Sequence, residues 1–342
     1  MSSVFTAFMY KLLTMFISFT MLFGAGIPEP GTDDPIKVNE NAEMSVVLWG
    51  DPQLADYMAD RHQYTKNAAI DLSNTEGTFD ALVLAGDIAE NGKGAEYQLV
   101  LDYLSVADDK IDHHISAVGN HDVRLRAYSQ VVSTFTEFCN ATNDNFADNA
   151  KFYKEGKLSY TYEVNGYTFI VLNTDKSVFE ESYFSDECLS WFDAELAEAT
   201  ADGKPVFVIL HQPLKNTHQV WDSWNSPSDN AGTVGAQSDA LQATMEKYDN
   251  VFLITGHLHM GFSEEWSIHK TGKNKTGKYE GNEGNVTLIN LPGIGPKNAD
   301  GEYNNSGTGY IMEVYEDRVE FIARDFNLGK YVPDHNATVY FK

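Results

Sequence analysis

Short apolar runs rich in β-branched residues recur along the chain and predict β-strands. Most are separated by segments in which apolar residues are spaced three and four positions apart, the pattern of amphipathic helices. Strands that alternate with helices favour an α/β arrangement. The predicted strands are 44–49, 81–85, 114–118, 160–164, 167–172, 206–210, 251–255, 286–291, 310–315 and 319–323. The predicted helices are 54–72, 95–106, 123–138, 187–199 and 236–248.

The pattern changes near the end of the chain. Residues 286–324 carry strand-like runs without a helical pattern, which predicts a second sheet or added antiparallel strands. Polar segments rich in Gly, Asn, Ser or Lys predict loops at 139–158, 213–235 and 262–285. Residues 27–43 have the composition of a linker, and 44–342 is expected to form one domain.

The first 26 residues differ from the rest of the chain. Lys11 is their only charged residue, and an apolar stretch over 12–25 follows it before small residues. This pattern predicts a cleaved secretory signal and a protein secreted or otherwise outside the cytoplasm. The alternative is an uncleaved N-terminal membrane anchor, although the run is short of the roughly 20 residues that span a bilayer.

Composition narrows the choice of partners. The chain has 342 residues, 42% of them hydrophobic, which is enough for a sizeable core. Its formal net charge of −26 argues against nucleic-acid polymers as partners. A phosphate-bearing substrate would need local metal charge to approach. Two cysteines, Cys139 and Cys188, are too few for a disulfide framework. They are expected to be buried among apolar residues or to form a single disulfide bond.

Two aspartates follow predicted strands. Asp51 and Asp87 each come one residue after a glycine that ends an apolar run. Ligands of open α/β sheets gather beyond the carboxyl ends of the strands, so two such side chains can converge. Taken singly, each could equally be an aspartate that stabilises a turn and binds no ligand.

Histidines strengthen the case for a metal site. His257 and His259 lie two residues apart after a predicted strand, so in extended backbone they face the same side. His211 ends another strand. Imidazoles paired with carboxylates are ligands of Zn, Fe and Mn centres. Asn120 offers a carbonyl oxygen, and the adjacent His121 can stand beside a substrate; the alternative is an ordinary turn.

These motifs come in an order that resembles the calcineurin-like metallophosphoesterases. The family pattern is Asp-x-His, Gly-Asp-x-x-x-Asn, Gly-Asn-His-Asp/Glu, a lone His and Gly-His-x-His. The matching blocks here are Asp51-Pro52-Gln53, Gly86-Asp87-Ile88-Ala89-Glu90-Asn91, Gly119-Asn120-His121-Asp122, His211 and Gly256-His257-Leu258-His259. The resemblance covers roughly residues 44–325 and implies a sandwich of two mixed β-sheets flanked by helices.

The resemblance also implies a role for each residue and a centre of two metal ions (Mn, Fe or Zn). Asp87 would bridge the ions and His121 would protonate the leaving oxygen. The other implied ligands are Asp51 and His259 at the first ion and Asn120, His211 and His257 at the second. Asp122 would orient His121, and Asn91 would lie behind the ligands. Gln53 stands where most of the family has a ligating histidine, and it is expected to be a weaker oxygen donor or none.

The predicted function is hydrolysis of a small phosphodiester or phosphomonoester by a metal-bound hydroxide. The alternative is a non-catalytic exported binding protein on the same fold, and only Gln53 favours it. A loop with His218, Trp221 and Trp224 lies between two motif blocks and is expected to overhang the metals; a Trp pair that anchors the loop is the alternative. Arg124 is a candidate for contact with phosphate, and the alternative that the sequence favours is a solvated helix arginine. No partner protein is inferable.

Overall fold

The computed structural model describes residues 34–143, 146–218, 232–273, 278–279 and 281–341. The expected signal or anchor at 1–26 lies outside these ranges, as do Trp221 and Trp224. Within the described ranges, no helix is long and apolar enough to cross a bilayer. Cys139 and Cys188 are buried free thiols, so no disulfide joins them.

The first sheet contains seven strands, in the order β13-β12-β11-β1-β2-β3, and β14 pairs with β12. β1, β2 and β3 are parallel, whereas β11 runs antiparallel to β1. The strands are β1 Met44–Trp49, β2 Phe79–Ala85, β3 Ile111–Ala117, β11 Thr308–Val314, β12 Arg318–Asp325, β13 Lys330–Tyr331 and β14 Ala337–Tyr340.

The second sheet also has seven strands, in the order β4-β5-β6-β7-β8-β10-β9. Its central strands β6, β7, β8 and β10 are parallel, and its outer pairs are antiparallel. The strands are β4 Lys151–Phe152, β5 Tyr160–Val164, β6 Tyr167–Val171, β7 Val206–Ile209, β8 Val251–Thr255, β9 Ile268–Lys270 and β10 Thr287–Asn290.

Helices connect most of the parallel strands. They are α1 Ala59–Ser73, α2 Gly94–Leu104, α3 Asn120–Val123, α4 Tyr128–Thr142, α5 Phe146–Asn149, α6 Asp186–Ala199 and α7 Ser238–Met245, with 3₁₀ turns at Ser105–Lys110 and Pro333–His335. The start of α6 has a local cause: the Ser185 hydroxyl caps it by accepting from the Cys188 amide at 3.2 Å.

The two sheets pack face to face. Alternate residues of β7 and β8 point to opposite sides. Phe207 and Phe252 therefore join the core between the sheets, where Phe252 lies 6.3 Å from Phe321 of β12. Val208 and Leu253 point the other way, into a separate core under α6 and α7. The expected α/β fold, two mixed sheets in a sandwich flanked by helices, is confirmed.

The structure corrects several predicted element boundaries. Short strands β4 and β9 lie in segments predicted as loops, and β13 and β14 were not predicted. The helix predicted from residue 54 begins only at Ala59. The helix predicted over 123–138 begins at Tyr128, because Arg124 is extended and Leu125 has a positive φ of 60°.

A buried ion pair ties α1 to the first sheet. Arg324 of β12 is fully buried and donates from Nε and Nη2 to the two carboxylate oxygens of Asp71, each at 2.7 Å. Its Nη2 also donates to the Asp34 carbonyl at 3.0 Å. Two parallel charge-assisted hydrogen bonds form the strong geometry for such a pair.

Arg324→Ala should lower the free energy of unfolding by about 3–5 kcal/mol, because it leaves the Asp71 carboxylate buried and unpaired. Urea denaturation measures this loss. The matched control is Arg318→Ala on the same strand, whose partners Asp317 and Glu320 lie at the surface. An Arg324 variant no less stable than the Arg318 variant would contradict the prediction.

Candidate metal centre

The motif residues follow the carboxyl ends of parallel strands in both sheets. Asp51, Asp87 and Asn120 come two or three residues after β1, β2 and β3, which are neighbours in the first sheet. His211 and His257 each come two residues after β7 and β8, which are neighbours in the second. Since the sheets are stacked, the five strand ends converge on one site.

The backbone at this site is strained. Nine described non-glycine residues have a positive φ, and five of them are predicted ligands: Asp51, Gln53, Asp87, His257 and His259. Residues with a Cβ avoid this region, and they keep it only where the surrounding structure fixes it. The turns after the strands are therefore shaped to aim these side chains.

Motif glycines let the turns approach one another. A Cβ added at Gly119 would overlap the carboxylate of Asp87, and one at Gly256 would overlap that of Asp51. At Gly86 the added carbon would lie 2.6 Å from the His211 ring. In each case, the glycine of one motif makes room for a predicted ligand of another motif.

Ligand atoms from different strands form two groups that share Asp87. One group is Asp87, His211 and His257, and the other is Asp51, Asp87 and His259; within each group the ligand atoms lie within 4.8 Å of one another. His211 Nε2 is 3.2 Å from Asp87 Oδ2, and His259 Nε2 is 3.1 Å from Asp51 Oδ1. A shared carboxylate between two groups of donors is the arrangement that a pair of metal ions requires.

Hydrogen bonds orient these groups. His211 Nδ1 donates to the Ala85 carbonyl at 2.8 Å, which fixes the ring and leaves Nε2 toward the two aspartates. The His121 amide donates to Asp87 Oδ1 at 2.8 Å, and the His257 amide donates to Asp51 Oδ2 at 3.0 Å. The side chains of His211, Asp87 and Asp51 are thus each held by a backbone group close to or within another motif.

Two buried side-chain oxygens at the site have no hydrogen-bond partner among the described residues: Gln53 Oε1 and Asn120 Oδ1. Asn120 Nδ2 donates to Glu180 at 3.0 Å, which leaves Oδ1 as the free end of that amide. An unsatisfied buried acceptor is costly, and a cation would satisfy both oxygens. The residues therefore fit a metal centre by their donor chemistry as well as by their grouping.

The pKa shifts of the clustered side chains also show that positive charge is stabilised at this site. Burial alone would raise the pKa of Asp87, but the charge of His211 and its hydrogen bond hold that pKa well below its ordinary value. Burial likewise opposes protonation of His211, yet Asp87 and Asp51 raise its pKa to about 9. Burial and His211 lower the pKa of His257. The Asp87 carboxylate is thus matched by positive charge on the neighbouring His211 ring, and a bound cation would meet the same need.

His121 is held by a residue that the sequence analysis missed. Its Nδ1 lies 3.0 Å from the backbone carbonyl of Glu90 and 3.3 Å from the Glu90 carboxylate. Arg124 Nη2 is 2.7 Å from the same nitrogen, so Nδ1 either donates to Glu90 or accepts from Arg124. Burial disfavours the charged ring, but the hydrogen bond with Glu90 and the charges of Asp87 and Glu90 raise the pKa of His121.

The structure corrects the expected role of Asp122. Its carboxylate accepts from the amides of Ile88, Ala89 and Gly119 at 2.8–3.1 Å and from the Tyr97 hydroxyl at 2.8 Å. Burial and the nearby Asp87 charge raise its pKa to about 6. Asp122 therefore fastens the Asp87 turn to the Gly119 turn, and Glu90 takes the contact with His121.

Three further residues were expected near the ligands or the substrate, and the structure places only Arg124 there. Asn91 donates to Glu96 at 2.9 Å and to Tyr57 at 3.3 Å, so it braces the turn before α2 instead of backing the ligands. His218 is buried, lies 4.8 Å from His269 ring to ring and bonds the Trp266 carbonyl at 2.6 Å, so it is not open to a substrate. Arg124 does lie beside His121.

Sequence comparison finds the calcineurin-like phosphoesterase family over residues 44–261. One relative is "Probable glycerophosphodiester phosphodiesterase GpdQ" of Arcobacter nitrofigilis, 24% identical over 63% of this chain and 69% of its own length. Another is a 3′,5′-cyclic-nucleotide phosphodiesterase of Nostoc sp., 23% identical over 63% of this chain and 70% of its own.

Similar folds occur among solved structures. A dimetal phosphatase from Danio rerio aligns with a TM-score of 0.59 and 14% identity, over 88% of this chain and all of that one. Purple acid phosphatase PPD1 from yellow lupin aligns with a TM-score of 0.57 and 13% identity, over 87% and 53%. These likenesses concern the fold. Since the family match spans well over half of the sequence, the chain belongs to the calcineurin-like phosphoesterase family of metal-dependent hydrolases.

Proposed function

We propose that this protein hydrolyses a small phosphodiester at a centre of two metal ions. The observation that carries the proposal is the pair of donor groups that share Asp87. The names of the two bacterial relatives, both phosphodiesterases, favour a diester over a monoester.

In this proposal seven side chains hold the ions. Asp87, which belongs to both donor groups, would be shared by the two ions, while Gln53 and Asn120 would contribute the oxygens that have no hydrogen-bond partner among the described residues. The remaining ligands are Asp51, His211, His257 and His259. When bound, two such ions supply Lewis-acid charge at the phosphoryl oxygens and acidify water to give a nucleophile near neutral pH.

The remaining steps belong to side chains of the protein. His121 donates the proton that the leaving oxygen needs as its bond to phosphorus breaks. Glu90 holds the ring through Nδ1 at 3.0 Å and so leaves Nε2 for that transfer. Arg124 adds a fixed positive charge beside the reacting phosphate.

A hydrolysis screen tests the proposal. Protein loaded with Mn, Fe, Zn or Co is assayed on bis-p-nitrophenyl phosphate, p-nitrophenyl phosphate and nucleotides. Diester turnover that chelation abolishes and metal restores is the expected result. The non-catalytic alternative predicts a protein that purifies without metal and turns over none of these substrates.

Gln53→His should tighten binding of the first ion. An imidazole is a stronger donor than a neutral amide. The metal concentration at half-maximal activity should fall by about tenfold or more, the scale on which one group near a metal changes affinity. A metal titration of both proteins measures it. An unchanged midpoint would show that residue 53 does not ligate.

The N-terminal segment motivates a separate proposal, that the mature chain begins near residue 27 outside the cytoplasm. It rests on Lys11 and the apolar run after it. N-terminal sequencing of protein from its native host should find the segment absent. An intact Met1 in a membrane fraction would favour the anchor.

A further inference from the structure

Three exposed apolar side chains adjoin the residues that surround His121. Six large apolar side chains are strongly exposed among the described residues: Tyr57, Val106, Leu125, Phe179, Tyr183 and Tyr340. Leu125 directly follows Arg124, which contacts His121, and Phe179 lies beside Arg124. Tyr57 accepts from Asn91, the neighbour of Glu90. Single exposed apolar residues are ordinary, but several around one catalytic group are not.

Leu125 is the clearest case. It is 90% exposed and its backbone is left-handed at a φ of 60°, a conformation that strains any residue with a Cβ. Its neighbours are fixed: the Arg124 amide donates to the Asn120 carbonyl at 2.8 Å, and Arg126 Nε donates to the Asn91 carbonyl at 2.8 Å. Glycine would fit this backbone and a polar residue would be better solvated, so folding does not explain a leucine here.

Phe179 lies beside the same arginine. Its ring is 61% exposed and lies 5.9 Å from the Arg124 guanidinium carbon. The next residue, Glu180, is anchored twice: its carboxylate accepts from Asn120 Nδ2 at 3.0 Å, and its carbonyl accepts from Gln212 Nε2 at 2.8 Å. Phe179 is therefore held at the edge of the centre through its neighbour Glu180, which bonds one predicted ligand, Asn120.

The position of these side chains matters because of His121. If His121 protonates the leaving oxygen, the leaving alcohol departs on its side of the site. The groups that it then meets are Arg124, Leu125 and Phe179. Arg124 is itself paired with Glu90 at 3.5 Å and with Glu180 at 3.8 Å. It is therefore the apolar surfaces of Leu125 and Phe179 that suit a phosphate esterified to an apolar chain or ring.

We propose that Leu125 and Phe179 bind the leaving group, and that the enzyme prefers phosphoesters whose leaving alcohol is apolar. This inference rests on the proposed function, because it uses His121 to define the leaving side. It adds a substrate class to that function, namely amphiphilic phosphoesters.

Methyl n-octyl phosphate provides an internal comparison. Its two alcohols have nearly equal acidity, so their reactivity as leaving groups is matched. In either cleavage the bond from phosphorus to that alcohol oxygen breaks, water oxygen joins phosphorus and the alcohol takes a proton. Below the concentration at which the substrate aggregates, released octanol should exceed released methanol by about tenfold or more, given the gain per buried methylene.

Variants then locate the preference. Phe179→Ser combined with Leu125→Gly should bring the octanol-to-methanol ratio close to one, and glycine also relieves the strain at 125. The matched control is Val106→Ser, an exposed apolar residue elsewhere, which should keep the wild-type ratio. A wild-type ratio near one, or a high ratio retained in the double variant, would overturn the proposal.

A binding measurement separates this inference from the proposed function. Failure of metal-loaded protein to release either alcohol would count against the phosphodiesterase activity itself. Calorimetry with n-octylphosphonate and methylphosphonate still tests the two side chains in that case. Tighter binding of the octyl compound by wild type, lost in the double variant, supports the proposal; equal binding of the two compounds by wild type overturns it.

Discussion

Replacing Asp87 by asparagine should remove more metal and more activity than changing any other single ligand. Asp87 belongs to both donor groups, so a neutral amide at this position weakens the binding of both ions. We expect less than one metal equivalent after dialysis and a fall in kcat/KM of about 10³-fold or more, given the charge stabilisation that such ions provide. Elemental analysis and the diester assay measure the two effects.

A matched control is Asp193→Asn, which removes a carboxylate that pairs with Lys247 at the surface. It should keep full metal content and activity. An Asp87→Asn protein that retains two metal equivalents would show that Asp87 does not bridge the ions.

His121→Ala should lower kcat by about 10²–10⁴-fold for esters of poorly acidic alcohols, the usual contribution of a general acid. Metal content should stay near that of wild type, because His121 lies in neither donor group. The loss should shrink for p-nitrophenyl esters, because p-nitrophenolate departs without a proton. Steady-state kinetics on an alkyl and a p-nitrophenyl diester give the comparison.

The control variant is His113→Ala, a half-buried histidine on β3 that bonds Tyr162, away from the motif residues. It should leave the ratio of rates on the two substrates unchanged. Equal losses on both substrates in His121→Ala, or loss of a whole metal equivalent, would show that His121 is not the proton donor.

The central fold was predictable because its strands are strongly apolar. β1, β2, β7 and β8 are almost entirely buried on both faces, so each contains a run of at least four consecutive apolar residues. β4 and β9 have only two and three residues and carry lysines, so no local pattern marks them. They are strands only because β5 and β10 offer them free edges.

The sequence could predict which residues converge on the site, but not which side chains contact each other there. The ligand candidates follow apolar strands, and parallel strand ends converge in any such sheet. The family resemblance implied that Asp122 orients His121, its neighbour in the sequence. Both lie on the helical turn α3, where successive side chains diverge by about 100°. Glu90 fills that place through tertiary contact, and nothing local distinguishes it from a turn glutamate.

The most direct test of the two-metal account is a crystal structure of the manganese-loaded protein with anomalous diffraction at the manganese edge. The account predicts two peaks about 3.5–4 Å apart, with Asp87 between them and the oxygens of Gln53 and Asn120 turned toward the ions. A single peak, or none at Asp87 under conditions in which the protein is active, would contradict it.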